Sequence, residues 1–138
     1  MTRSEREAFL AQTHVGVLTV EEPGRWPCAT PVWYRYAPGG PIRITLSPAS
    51  RKARLLRSAG RASLCVQSER IPYRYVTVEG AVELRGVDVS EDRSEMALRY
   101  LGAERGERYL AASAGGEEVL LLLHPEHWRT VDYAKVPL

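Results

Sequence analysis

Ile42-Arg43-Ile44-Thr45-Leu46-Ser47-Pro48-Ala49-Ser50-Arg51-Lys52-Ala53-Arg54-Leu55-Leu56-Arg57-Ser58-Ala59-Gly60 holds a strand, a turn and a helix in one short stretch. Ile42 to Leu46 is β-branched and apolar, which predicts a strand. Ser47-Pro48-Ala49-Ser50 then supplies N-cap chemistry, Arg51 to Ala59 reads as a helix, and Gly60 ends it. A helix start presents free N–H groups and the positive end of the dipole, a combination that binds phosphate. Here that start carries the Ser50 hydroxyl, the Arg51 guanidinium and the Lys52 ammonium, with Arg54 one turn in. Ordinary helices prefer acids there, so each cation costs roughly 0.3–1 kcal/mol unless an anion is present. Two readings stay open on the residues alone: a phosphate site, or a solvated basic face.

Working outward, the flanking chain is strand-rich. Upstream, Ser4-Glu5-Arg6-Glu7 has capping-box spacing and predicts a helix ending near Gln12. His14 to Val20 and Cys28 to Tyr36 read as strands, with Pro31 marking the second as an edge or an irregularity. With Ile42 to Leu46 they are expected to form a meander. Downstream, Ala62 to Gln67 and Tyr73 to Leu84 are strands. A helix opens at Ser90-Glu91-Asp92, with acids at its positive end, and runs to Gly102; a second covers Glu104 to Ala112. Glu118 to Leu123 and Trp128 to Tyr133 close the chain as strands. No repeat or linker interrupts the pattern, so a single domain over residues 1–138 is expected, a mostly antiparallel barrel with helices over its openings.

Composition narrows the class of function. The 138-residue chain has a net charge of only +2. Its eight cations from Arg25 to Arg61 nevertheless share a stretch, Pro23 to Ser68, that contains no acid. That separation argues for an anionic partner at one place. No apolar run is long enough to span a membrane, and Met1 to Phe9 is polar, unlike a signal peptide. Cys28 and Cys65 form neither a disulfide framework nor a zinc pattern. A reduced, cytoplasmic protein is expected, with no membrane or nucleic-acid partner.

Other chemistry is thinner. His124 and His127, with Glu126 and Asp132, flank a proline turn and read as surface groups, so no metal site is expected. Cys65 reads as buried packing. Trp33, Tyr34, Tyr36, Tyr73 and Tyr75 lie along strands, where they serve a core or wall a planar ring. An anion site and aromatic strands without acid–base machinery fit a protein whose cofactor does the chemistry; no catalytic side chain is assigned.

Thr45-Leu46-Ser47-Pro48-Ala49-Ser50-Arg51-Lys52, then Ala62-Ser63-Leu64-Cys65-Val66, then Tyr75-Val76-Thr77-Val78-Glu79-Gly80, resembles the pyridoxamine 5′-phosphate oxidase-like flavin-binding split barrels in that order. The likeness runs from about Phe9 to Tyr133. It implies a six-stranded antiparallel split β-barrel with flanking helices, a mainly β fold with α, similar to homodimers with cofactor sites at the dimer interface. By that resemblance Ser50, Arg51 and Lys52 hold the cofactor phosphate, while Thr45 and Leu46 lie along the ring. Tyr75 falls where the oxidases place a flavin-contacting glutamine. Thr30 falls near a phosphate-contacting arginine, and Arg35 is a candidate substrate contact.

The true oxidases continue into an Arg-Leu-His segment, which this sequence lacks before Leu138. The expectation is therefore not a pyridoxamine phosphate oxidase but a sister branch. Such a protein would bind flavin mononucleotide (FMN), or alternatively the deazaflavin coenzyme F-420, and transfer hydride to a small planar organic substrate. A non-catalytic flavin- or haem-binding protein is the alternative, with His14, His124 and His127 as the available axial ligands.

Overall fold

The computed structural model describes residues 1–136. Helix α1 (Arg3–Ala11) is followed by strands β1 (Gly16–Val20), β2 (Cys28–Val32) and β3 (Ile42–Leu46), then helix α2 (Arg51–Ala59). Strands β4 (Arg61–Ser68) and β5 (Arg74–Arg85), helix α3 (Ser90–Ala112), and strands β6 (Val119–Leu123) and β7 (His127–Asp132) complete the order. The fold is mainly β with α. Six antiparallel strands in the order β2-β1-β4-β5-β6-β3 curl into a half-barrel, and three helices flank it.

Strand β5 sets the split. One of its edges pairs with β4 from Arg74 to Ala81. The other edge is shared: β7 takes Arg74 to Glu79, and β6 takes Val82 to Arg85. At the junction the chain leading from β6 to β7 presses on Gly80, where a Cβ would lie 1.8 Å from the His124 carbonyl oxygen. Only glycine fits there, because a clash with backbone cannot be relieved by a rotamer change.

Two expectations about the elements change. Strands β1 and β2 form a hairpin, Leu18 facing Thr30, but β3 does not continue a meander; it pairs with β6, Ile44 facing Leu121. The meander fails because β2 stops at Val32, after Pro31. Beyond it a single bridge survives, Arg35 and Arg43 exchanging backbone hydrogen bonds of 2.9 Å, and this joins the two sheet ends. The N-terminal cap also lies two residues earlier than its spacing suggested. Thr2 and Glu5 form the capping box, since the Thr2 hydroxyl accepts from the Glu5 N–H at 3.2 Å.

Inward-facing residues alternate along the strands and meet in one core: Leu18, Val20, Ile42, Ile44, Leu64, Val66, Val76 and Val78. Helix α2 adds Ala53, Leu55 and Leu56 to it. Strand β6 is buried on both faces: Leu121 and Leu123 join the core, while Leu120 and Leu122 pack with Val89 at the foot of α3. Tyr34 is fully buried, and its hydroxyl donates to the Leu10 carbonyl at 2.7 Å, tying α1 to the barrel. Cys65 departs from its expected burial. It sits on the outer face of β4 and is exposed, because the inward positions of that strand belong to Leu64 and Val66.

Helix α3 breaks at Gly102 (φ +82°), where the sequence reading ended one helix and began another. The fold thus becomes a helical hairpin over β3 and β6. Asp92 fixes it there. Arg35 Nη1 and Arg43 Nε each donate to its Oδ1 at 2.7 Å, and Arg43 Nη2 donates to Oδ2 at 3.1 Å.

Candidate functional site

The turn after β3 forms as its sequence dictates. Ser50 caps α2, its hydroxyl accepting from the Ala53 N–H at 3.1 Å and donating to the Ser47 carbonyl at 2.8 Å. The first turn of α2 carries no acid. Arg51 and Lys52 then leave the helix toward different surroundings. Arg51 is exposed and ion-paired with Glu22, whose carboxyl it holds below the ordinary range chiefly through that hydrogen bond. Lys52 is half-buried, and among the described residues no carboxylate lies within salt-bridge reach of it. Burial pulls its ammonium below the usual lysine range.

Lys52 lines an open cleft of about 330 Å³ between the barrel and the α3 hairpin, a size suited to a small organic ligand. Thr45 contributes from β3, Pro31 and Val32 from the end of β2, and Trp33 from the segment beyond. Met96 and Arg93 come from the first half of α3, Tyr109 from the second, and Glu118 from the approach to β6. Trp33 stacks on Tyr100 at 5.1 Å between ring centroids, and Tyr109 tilts against it at 5.3 Å. Tyr100 is held in turn. Its hydroxyl donates to the His14 carbonyl at 2.6 Å and accepts from the Tyr34 N–H at 3.1 Å. The aromatic wall is therefore fixed by backbone contacts before any ligand arrives.

Of the expected site residues, the cleft brings together Thr45 and Lys52. Ser50 stands behind Lys52 as the cap, and Arg51 is outside the lining. Leu46 is 5% exposed and faces the core, so its side chain is packing. Thr30 lies on the β2 edge strand opposite Leu18. Tyr75 is on the outer face of β5, in a shallow depression with Tyr73, Arg74 and Tyr133. Arg35 is tied to Asp92, with Glu95 and Glu91 close by. Met96, Tyr109, Arg93 and Glu118 were not singled out from the sequence. The signal for them is weak: each looks like an ordinary helix or strand residue until α3 folds back over β3 and β6.

None of the three histidines lines the cleft. His14 stacks on Phe9 at 4.6 Å, and His124 is hydrogen-bonded to Glu83 at 2.8 Å. Among the described residues no group of three metal-ligating side chains assembles, and no helix is long and apolar enough to cross a membrane.

The sequence pattern of the pyridoxamine 5′-phosphate oxidase family matches residues 2–132. No curated protein matches the chain in sequence. Among solved structures, a conserved hypothetical protein of Mycobacterium tuberculosis superposes with a TM-score of 0.78 at 23% identity, over 100% of this chain and 89% of its own. An F-420 reductase gives 0.72 at 20% identity, over 89% and 94%. A FAD-binding protein from Mesorhizobium loti gives 0.71 at 18% identity, over 94% of each chain. At such identities the likeness is one of fold.

Proposed function

Because the chain belongs to the pyridoxamine 5′-phosphate oxidase family, we propose that the Lys52 cleft binds a phosphorylated flavin-type cofactor and that the protein is an oxidoreductase. The observation that carries this reading is Lys52 itself. A half-buried ammonium with no carboxylate in salt-bridge reach among the described residues is costly, and an anionic ligand removes that cost. The residues present suit such a ligand: one cation at a helix start, a preformed aromatic wall and a strand, β3, along one side. FMN is the first choice of cofactor and F-420 the alternative. The F-420 reductase and the FAD-binding protein of the same fold support the class without separating the two.

When bound, the ring supplies the hydride acceptor or donor. This chain's own part is placement. Lys52 and the α2 N–H groups hold the phosphate, Ser50 keeps that turn rigid, and Thr45 with Trp33 flanks the ring. Arg51 joins only by leaving Glu22, so its contribution is smaller. The substrate is a small planar organic molecule.

We also assign a homodimer to the protein, since family members are often dimers. The outer sheet face offers a row for it: Val17, Cys65, Thr77 and Arg129 are in register across β1, β4, β5 and β7. Val17 and Cys65 on that row are exposed.

Absorbance and fluorescence titration with FMN and with F-420 tests the reading. Saturable binding of one of them by the wild-type protein, weakened about tenfold or more in Lys52→Met, is the expected result, as for loss of a charge-assisted hydrogen bond. Binding of neither, or equal affinity in the variant, contradicts it. A Soret band on adding haem would favour the storage or sensing alternative, although no histidine reaches the cleft.

A further inference from the structure

Among the described residues, Glu118 is the one acid in the lining of the cleft. Its Oε2 is buried and lies 3.2 Å from Arg93 Nε, but it has no hydrogen-bond partner. Arg93 cannot turn freely to satisfy it, because Nη2 of the same guanidinium donates to Ser113 Oγ at 2.6 Å. The carboxylate is thus held by charge and left short of donors. Oε2, being buried, is closed to any ligand, whereas Oε1, the other carboxylate oxygen, accepts no hydrogen bond among the described residues. The side chain is 24% exposed and lines the cleft, and an acceptor that a ligand covers is costly unless that ligand supplies an N–H or O–H.

Glu118 leads directly into β6 (Val119–Leu123), two residues before Leu120, which faces Thr45 across β6 and β3. Lys52 and Glu118 are both in the lining, yet more than 4 Å apart, since no salt bridge forms between them. A ligand that satisfies both carries an anionic group and a separate N–H donor on a flat ring that packs beside Trp33 and Tyr109.

We propose that Glu118 is a specificity-determining residue, accepting the imide N–H of a pyrimidinedione ring while Lys52 holds the phosphate. The inference rests on the cofactor reading given above and adds the chemical group that Glu118 reads. It predicts discrimination against rings whose imide nitrogen carries a methyl group, because methylation removes the donor and adds bulk at the carboxylate. No bond is made or broken in this step.

The test compares FMN with 3-methyl-FMN by fluorescence titration of the wild-type protein, Glu118→Gln and Glu118→Ala. Wild type is expected to prefer FMN by about tenfold or more, a typical loss for a hydrogen bond to a charged group. Glu118→Ala should bring the preference close to one, and Glu118→Gln, which keeps a carbonyl acceptor, should fall between. The wild-type comparison needs no variant to fold. FMN binding that depends on Lys52 but shows no preference between the two flavins overturns the Glu118 assignment and leaves the cofactor reading standing. Failure of wild type to bind FMN at all, but not F-420, moves the same comparison to F-420 and its imide-methylated form. Binding of neither cofactor overturns both.

Discussion

On the proposed cofactor reading, Lys52 faces opposite demands in the free and the loaded protein. Free, it is a half-buried cation whose ammonium is pulled below the ordinary lysine value of 10.5, chiefly by burial. The unfolded chain then binds more protons than the folded one as pH approaches 10.5 from below. Stability of the ligand-free protein therefore gains from Lys52 as pH rises through that window. Loaded, the same group must stay charged, so phosphate affinity falls over the window in which stability gains. Titration of FMN, or of F-420 if that is the ligand, from neutral pH up to about 10.5 should show this loss in wild type. The affinity of Lys52→Met should be weaker and flatter. Thermal melts should show that Lys52→Met does not destabilise the ligand-free protein, the usual relation between a strained binding residue and stability. Arg51→Met should change affinity less, since Glu22 already occupies its guanidinium. The two cations looked alike in the sequence. Their difference depends on Glu22, which lies in the β1–β2 turn 29 residues before Arg51 and carries no mark of that contact.

At the scale of elements, the strand–turn–helix unit from Ile42 to Gly60 was legible because every signal in it is local: β-branched residues, an N-cap serine and a terminal glycine. The attachment of α3 was not. Asp92 reads as an acid in the first turn of a helix, and its real partners, Arg35 and Arg43, come from segments that only the barrel brings together. Burial pushes the Asp92 carboxyl up, but hydrogen bonds from Arg43 and Arg35 outweigh it and hold the group below 3.8. A depressed carboxyl contributes stability that is present above pH 3.8 and lost as pH falls through the folded value. Asp92→Asn leaves two arginines without their shared anion, and a cost of about 3 kcal/mol is expected, the lower end for a broken buried pair because Arg43 is partly exposed. Urea denaturation at neutral pH measures it, and the acid limb of the wild-type stability curve below pH 3.8 should flatten in the variant. The same change loosens the hairpin that carries Met96 and Tyr109, so FMN or F-420 affinity should fall with it.

For the whole molecule, the sequence specified the fold class well and the site less well. Strand existence follows from alternation within a few residues, whereas the cleft gathers residues from Val15 to Glu118, among which only Thr45, Trp33 and Lys52 were read as lining a ligand site. The mistaken meander has the same origin: local adjacency favoured β2 beside β3, and the distant β6 took that place. Dimer formation belongs to this scale too. Val17→Arg puts a cation on the exposed row opposite Cys65, and light scattering after size exclusion should show wild-type dimers and variant monomers. A monomeric wild type would remove the dimer from the assignment.

The pairing of β3 with β6 also has a kinetic side. Ile42 meets Leu123 across most of the length of the chain, whereas β4 and β5 meet across one short connection. Bringing distant segments together costs chain entropy before contacts repay it, so low-separation pairings form early and distant ones late. Pulse-labelling hydrogen exchange during refolding should find amides at the β4–β5 seam protected first and those of β3 among the last. The Lys52 cleft, walled by β3, would then be the final part of the molecule to take shape, and a chain caught before that step would have a sound hairpin core without its cleft.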